Sequence, residues 1–258
     1  MPWMLSPSAT PTIYFCGIQE VAAARPRDAI ATMSMASRGL CAAIQHAVRL
    51  GAAFVLISGS EVYGSPAEGE TPQKEAYRGY LDPGGEKSWL GQAMRFAETL
   101  TVSASSEYDL SVRIIRVFNA YGEETSEASV ELLPRLVRNI LYGECLDAAD
   151  DPEVGSFCHV TDVVEGVIRA SRCDYRLPIN IGTPVFVPRE ELVEQICCIA
   201  KCEIPLDLVL PGHPPTSKLV PDVSLARELL DWTPRVDLRA GLEGLVSHLR
   251  RHCRRRAP

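Results

Sequence analysis

The sequence lacks the features that direct a chain to a membrane or to nucleic acid. In its 258 residues no apolar run approaches the roughly 18 residues of a membrane span, and the first residues show no basic stretch followed by an apolar core. The formal charge is −7, and the arginine-rich stretch at 250–256 is typical of a solvated tail. We therefore expect an intracellular, soluble protein with no secretory signal, no membrane span and no nucleic-acid partner.

A clear disulfide framework is also lacking, because the cysteine count is nine, an odd number, and no extracellular signal is present. Cys197, Cys198 and Cys202 lie close together in sequence. On a continuous helix Cys198 and Cys202 would share a face, with Cys197 about 100° away. No histidine is nearby, so the spacing does not favour a metal centre. The pattern favours reduced thiols that pack as small hydrophobic side chains.

An alternation of strand-like and helix-like segments is present, and it is typical of an α/β sheet. Apolar runs predict strands at 12–17, 54–58, 111–118 and 179–182, and a short apolar segment at 206–210. Apolar residues three and four apart predict helices at 28–50, 88–105, 130–142, 160–171, 189–201, 223–230 and 238–252. Thr161 or Asp162 is the predicted cap of the helix at 160–171. The polar loop at 123–129 predicts a boundary between residues 1–125 and 126–258.

Four motifs occur in a fixed order along most of the chain. They are SGSEVYG at 58–64, RVFNAYG at 116–122, FCHVTD at 157–162 and INIG at 179–182. Together they resemble the extended short-chain dehydrogenases of the NAD-dependent epimerase/dehydratase family, nearest to UDP-glucuronate decarboxylases and dTDP-glucose 4,6-dehydratases. The resemblance implies a truncated Rossmann-like parallel sheet, in which residues 12–17 correspond to the fourth strand and the first three strands of the family are absent. It also implies a smaller α/β C-terminal subdomain of the substrate-binding type.

The candidate site residues follow from the ends of the predicted strands. Ligands of open parallel sheets bind beyond the carboxyl ends of the strands, where Ser60, Glu61 and Asn119 lie. Ser60 and Glu61 are candidate catalytic groups. The resemblance makes Asn119, His159 and Lys218 candidate substrate-binding residues. A purely structural role for Glu61 and Asn119 remains an open alternative.

Three groups on which the family's redox chemistry depends are absent. The resemblance places a threonine or serine three residues before Val62, and a tyrosine and a lysine four residues apart on one helix. Those positions hold Gly59, Leu90 and Met94. None of these side chains carries an exchangeable proton, so oxidation and re-reduction of a sugar is not expected.

Groups that hold the nucleotide in the family are missing as well. No G-x-x-G-x-x-G motif occurs, so the backbone lacks the loop that approaches a pyrophosphate. Gly155 replaces an expected arginine, and Leu219 replaces a basic residue, although Lys218 is adjacent. The family would use NAD, but we expect no cofactor bound tightly by this chain alone.

Three functions remain open. The favoured hypothesis is a non-catalytic assembly or regulatory subunit. The alternatives are a nucleotide-sugar-modifying enzyme with rebuilt chemistry, and half of a split NAD-dependent enzyme. The resemblance implies that helices 28–50 and 88–105 dimerise, and strand 12–17 is expected at a sheet edge. We therefore expect a protein partner, in a homodimer or a heteromer, at these helices and at this strand.

Overall fold

The computed structural model describes residues 10–19, 28–65, 71–85, 88–123, 132–142, 155–203 and 219–253. Within these ranges no helix is long and apolar enough to cross a membrane. The predicted segment at 206–210 and Lys218 lie outside the described residues.

Two parallel sheets confirm the predicted α/β class. The larger sheet has four strands in the order β1, β2, β3, β6, and all its neighbours are parallel. Strands β4 and β5 form a separate parallel pair. The strands are β1 (Thr12–Phe15), β2 (Ala53–Gly59), β3 (Val112–Val117), β4 (Ala120–Tyr121), β5 (Cys158–His159) and β6 (Pro178–Ile181).

The helices lie close to the predicted ranges. Helix α1 leads through a π-helical segment, Met35–Gly39, into α2, so the single helix predicted at 28–50 has an irregular turn inside it. The Asp28 side chain caps α1 by accepting a hydrogen bond from the Ala31 amide at 2.8 Å. The helices are α1 (Ala29–Ser34), α2 (Leu40–Leu50), α3 (Ser88–Tyr108), α4 (Leu132–Tyr142), α5 (Val160–Arg172), α6 (Arg189–Ala200), α7 (Ser224–Leu230) and α8 (Leu238–Cys253).

Apolar clusters cover both faces of the four-stranded sheet. On one face Phe54 and Leu56 pack with helices α2 and α3. On the other face Val55 and Ile115 pack with residues of α5 and with Trp232. The central strands are apolar on both sides because both faces of the sheet are covered. A ligand-binding site is therefore expected at the carboxyl ends of the strands.

A third apolar cluster joins α4, α6 and α8, with Leu136, Ile196 and Leu245 fully buried in it. It lies in the part of the chain that follows the predicted boundary. Strand β6 also follows that boundary, yet it pairs with β3 in the main sheet. The division into residues 1–125 and 126–258 therefore remains a prediction about domains.

Candidate functional site

The carboxyl end of β2 brings together three residues singled out by the sequence. The strand ends at Gly59, and the chain turns at once into a 3₁₀ segment, Ser60–Tyr63. The carboxylate of Glu61 folds back into the space that a β-carbon on residue 59 would occupy. The sulfur of Met94 lies 3.1 Å from that same β-carbon position. Gly59, Glu61 and Met94 therefore form one contiguous cluster.

The burial of these residues limits what they can do. Met94 is 1% exposed, and Leu90, one turn earlier on α3, packs half-buried against the same apolar cluster. Ser60 is also buried, with 4% exposure. Glu61 is half-buried, so among these four residues its carboxylate is the polar group that a ligand from solvent can contact.

Asn119 emerges at the same edge of the sheet. Strands β2 and β3 are parallel, and their register pairs Gly59 with Val117, two residues before Asn119. Asn119 is exposed and has a left-handed backbone with φ of 36°. Asparagine is among the few residues that adopt this conformation readily, and such backbones often occur at functional sites.

The surroundings of Asn119 contain two of the positions that the resemblance flags. The Asn119 side-chain amide donates to the Ser156 carbonyl oxygen at 2.8 Å. A β-carbon on Gly155 would lie 3.2 Å from that amide nitrogen and 3.4 Å from the Leu219 carbonyl oxygen. Positions 155 and 219 therefore converge on Asn119, but neither side chain supplies a cation there.

His159 lies inside the protein, with 5% exposure. Its Nδ1 atom accepts from the Thr161 amide at 3.4 Å and lies 2.8 Å from the Thr161 hydroxyl, so the imidazole caps α5. The prediction that Thr161 or Asp162 caps this helix is wrong, because the helix begins at Val160 and leaves His159 at the capping position. The Nε2 atom lies within ion-pair range of Glu123, at 3.3 Å.

A buried polar network near these strand ends was not predicted from the sequence. Arg116 forms a two-pronged ion pair with Glu98, with Nε 2.9 Å from Oε1 and Nη2 2.7 Å from Oε2. Arg116 also donates to the Tyr63 hydroxyl at 2.9 Å, and Tyr63 donates to Asn180 Oδ1 at 2.7 Å. Ser58 donates to Glu98 at 2.7 Å. The network connects α3 with β2, β3 and β6.

The charges in this network stabilise each other. Burial by itself would lower the pKa of Arg116, but hydrogen bonds and the charge of Glu98 outweigh burial, and the pKa is raised. Burial raises the pKa of Tyr63, so its hydroxyl stays protonated and donates to Asn180. No local spacing in the sequence could have shown these contacts, because Arg116 and Glu98 lie on different elements.

A cavity of about 300 Å³ opens beside the network. Its walls include Glu75, Arg95 and Arg116. Arg95 donates to the Val62 carbonyl oxygen at 2.8 Å, and its pKa is lowered by burial and by the charge of Arg116. Burial also raises the pKa of Glu75, although a hydrogen bond from the Asn180 amide opposes this. Within the described ranges, no group of three or more metal-ligating side chains is present.

The arrangement of the sheet and the order of the motifs agree with one known family. Residues 12–182 match the NAD dependent epimerase/dehydratase family. The chain belongs to this family. UDP-glucuronic acid decarboxylase 6 of Arabidopsis thaliana is 37% identical over 199 residues, which are 76% of this chain and 57% of that protein. UDP-glucuronic acid decarboxylase 1 of Danio rerio is 27% identical over 212 residues, which are 82% of this chain and 50% of that protein. The chain thus spans about half the length of these relatives.

Solved structures of the epimerase/dehydratase family have the same fold. UDP-glucose 4-epimerase of Thermotoga maritima, with UDP-glucose, superposes with a TM-score of 0.74 at 19% identity, covering 94% of this chain and 78% of that one. dTDP-glucose 4,6-dehydratase of Bacillus anthracis, in complex with NAD, gives a TM-score of 0.70 at 21% identity, covering 86% of this chain and 70% of that one.

The residues at positions 59, 90 and 94 do not fit the reacting end of a nicotinamide cofactor. The family's chemistry needs a hydroxyl and a cation there to exchange a proton and to hold the ribose. Gly59 offers no side chain, and the nearby Glu61 carboxylate adds a negative charge. Leu90 and Met94 are apolar and face the core. These three residues therefore cannot supply the proton exchange that accompanies hydride transfer.

Proposed function

We propose that this member of the epimerase/dehydratase family is a non-catalytic assembly or regulatory subunit of a larger complex. The observation that carries the proposal is the cluster of Gly59, Glu61 and Met94 at the end of β2. Three separate substitutions would be needed to restore the proton-exchanging groups, and the first would have to displace the Glu61 carboxylate. Leu90 and Met94 pack into the internal apolar cluster, where they contribute to folding rather than to proton exchange.

Apolar surface on helices α1 and α3 supports the assembly role. Ile30, Met33 and Phe96 are 81%, 39% and 45% exposed, and they line a groove of about 420 Å³. Contiguous apolar patches on a soluble surface often mark protein contacts. Arg38 also borders the groove, but it already donates to Ser34 of its own helix at 2.7 and 3.2 Å. Apart from Arg38 the groove is lined by apolar and hydroxyl side chains, and its proposed occupant is a second copy of this chain, with a heteromer of a family relative as the alternative outcome.

Strand β1 supports a second contact. Within the described part of the chain it pairs only with β2. Tyr14 is 46% exposed and donates to Ser171 of α5 at 3.0 Å. Val164 and Ile168 lie earlier on the same face of α5 and are 50% and 39% exposed. Sheet edges that are paired on one side only are prone to pairing, and we assign the other side of β1 to a strand of another chain.

Calorimetry with NAD and NADH tests the non-catalytic proposal. The purified chain is expected to bind them no more tightly than about 1 mM, or roughly −4 kcal/mol. A complete UDP-glucuronic acid decarboxylase titrated from the same stock is the positive control. Micromolar binding by this chain alone would overturn the proposal, and binding that appears only with a co-purifying partner would favour the split enzyme.

A second function is favoured by the half-buried carboxylate of Glu61 at the strand end. In that case the chain acts on a nucleotide sugar through acid–base chemistry other than hydride transfer. Any such activity is expected to disappear in Glu61→Gln, with the fold unchanged by circular dichroism. If turnover survives the substitution, Glu61 has no catalytic role.

A further inference from the structure

The C-terminus of helix α6 contains a cysteine pair that the family function does not use. Lys201 has a left-handed backbone, with φ of 54° and ψ of 47°. The Lys201 amide donates to the Cys198 carbonyl oxygen at 3.4 Å, and the Cys202 amide donates to the Cys197 carbonyl oxygen at 3.2 Å. These two hydrogen bonds define a Schellman motif, in which the chain reverses direction immediately after the helix.

In a Schellman motif the residues corresponding to positions 197 and 202 commonly touch through apolar side chains. Here both are cysteines, and the Schellman hydrogen bond from the Cys202 amide to the Cys197 carbonyl oxygen holds the two residues next to each other. A continuous helix would have placed Cys202 on the face of Cys198. The left-handed residue Lys201 ends the helix first and turns Cys202 back onto Cys197 instead.

The backbone geometry is compatible with a covalent link. A disulfide needs Cα atoms about 4.4–6.8 Å apart. The Cys197 and Cys202 Cα atoms are each only one or two bonds from the atoms of the 3.2 Å hydrogen bond, which keeps them near this range. The two thiols differ in solvent accessibility, because Cys202 is exposed and Cys197 is 2% exposed.

We propose that Cys197 and Cys202 form a reversible disulfide, and that this dithiol is a modification site for low-molecular-weight disulfides such as oxidised glutathione. This inference does not rest on the proposed assembly function. The Cys202 thiolate attacks one sulfur of the small disulfide, whose S–S bond breaks and releases one thiol. Cys197 then loses its proton to solvent and attacks the Cys202 sulfur, which releases the second thiol. The protein loses two electrons and two protons, and the small disulfide gains them as it becomes two thiols.

The order of attack follows from the environments of the two sulfurs. Burial, reinforced by the charge and hydrogen bond of Cys202, raises the pKa of Cys197 to about 12. Cys197 is therefore a poor first nucleophile, since the thiolate is the attacking species. Once Cys202 is held in a mixed disulfide, its negative charge is gone, and Cys197 ionises more easily.

The disulfide would fix the end of α6 against its neighbours. Cys197 lies in the apolar cluster shared by α4, α6 and α8, and Arg250 of α8 donates to the carbonyl oxygen of Ala200 at the helix end. Closing this short loop restricts the unfolded chain, so the oxidised protein should melt roughly 4 °C or more above the reduced one.

The experiment exposes the full chain to glutathione buffers of increasing oxidised fraction, followed by alkylation and peptide mass spectrometry. The expected product has lost two hydrogens, and the crosslink maps to Cys197 and Cys202. Cys198→Ser should form the same crosslink, as the matched control. Cys197→Ser should accumulate glutathione on Cys202, whereas Cys202→Ser should leave Cys197 unmodified.

A stable glutathione adduct on Cys202 in the wild-type chain, with no internal crosslink, would overturn the proposal. So would a crosslink between Cys198 and Cys202. The wild-type mapping needs no substitution, so it remains decisive if a cysteine variant fails to fold. Dithiothreitol should restore both the free thiols and the lower melting temperature.

Discussion

The Glu61 carboxylate occupies the space beside Gly59 that any larger side chain would need. Gly59 has an extended backbone, with φ of −136°, which every residue can adopt. The obstacle to a side chain at position 59 is therefore Glu61 and the neighbouring Met94 sulfur, rather than backbone strain. Several expected outcomes follow from this cluster and from the buried network behind it.

Gly59→Ala is expected to lower the free energy of unfolding more in the native chain than in a Glu61→Ala background, by about 1 kcal/mol. In the native chain the new β-carbon must push the Glu61 side chain aside. In the Glu61→Ala background only the Met94 sulfur, 3.1 Å from the new β-carbon, stays close, and the more restricted unfolded chain offsets part of the cost. Urea unfolding of all four proteins measures the coupling. Equal effects of Gly59→Ala in both backgrounds would contradict the observed packing.

Restoring the three missing groups together should not create a dehydrogenase. The combination of Gly59→Thr, Leu90→Tyr and Met94→Lys places the expected atoms at the strand end, but Gly155 and Leu219 still supply no cation near Asn119. We expect no reduction of NAD when the triple variant is assayed by absorbance with UDP-glucuronic acid or UDP-glucose. Measurable reduction would show that the chain alone binds the cofactor productively.

Glu98→Ala is expected to destabilise the protein by about 3–5 kcal/mol, because it leaves the buried guanidinium of Arg116 without its ion-pair partner. Glu107, exposed near the end of the same helix, provides the matched control. Glu107→Ala should change the free energy of unfolding by no more than about 0.5 kcal/mol. Both are measured by urea denaturation. Similar values for the two variants would mean that the Glu98–Arg116 pair contributes little.

The effect of Glu75→Gln on the free energy of unfolding should depend on pH. Burial raises the pKa of the Glu75 carboxyl group in the folded protein, so the folded state binds this proton more tightly than the unfolded state does. Its stabilising contribution is therefore full below the ordinary pKa and is lost as pH rises through the raised pKa. Glutamine keeps an oxygen acceptor for the Asn180 amide, which Glu75 Oε1 binds at 3.0 Å, but cannot ionise.

The stability of Glu75→Gln relative to the native chain should therefore increase as pH rises from about 4, near the ordinary pKa of glutamate, toward neutrality. Urea denaturation across this range gives the difference directly. Glu107→Gln, on the exposed surface of α3, serves as the control. A difference between Glu75→Gln and the native chain that stays constant with pH would show that Glu75 ionises equally in both states.

Charges placed in the α1–α3 groove should prevent assembly. Ile30→Glu and Phe96→Glu put carboxylates on the exposed apolar surface that we assign to a second copy. Sedimentation velocity should show the native chain as a dimer or heteromer and both variants as smaller species. Leu177→Glu and Val185→Glu are the controls, at apolar positions outside these helices that are 54% and 57% exposed. A monomeric native chain at micromolar concentration would refute the assembly proposal.

Local patterns in the sequence were sufficient for the sheet and most of its helices. β2 and β3 are short apolar runs, and α2 and α3 repeat apolar residues every three or four positions, because burial on one or both faces imposes those periods. The four motifs at 58–64, 116–122, 157–162 and 179–182 together predicted the family, and the resemblance placed residues 59, 90 and 94 at the positions of its redox groups. The Met94 sulfur lies 3.1 Å from the position that a β-carbon on residue 59 would take.

Only the tertiary structure decided which side chains meet, because each such contact depends on how separate elements face one another. Glu98 and Arg116 pair through the packing of α3 on β3. His159 caps α5 because that helix begins at Val160. Cys202 reaches Cys197 rather than Cys198 because the left-handed Lys201 reverses the chain, which helical spacing could not reveal. The sequence by itself determined the periods, the order of elements and the missing proton donors. The structure determined that the Glu61 carboxylate lies beside Gly59, because the 3₁₀ segment turns residue 61 back toward the end of the strand.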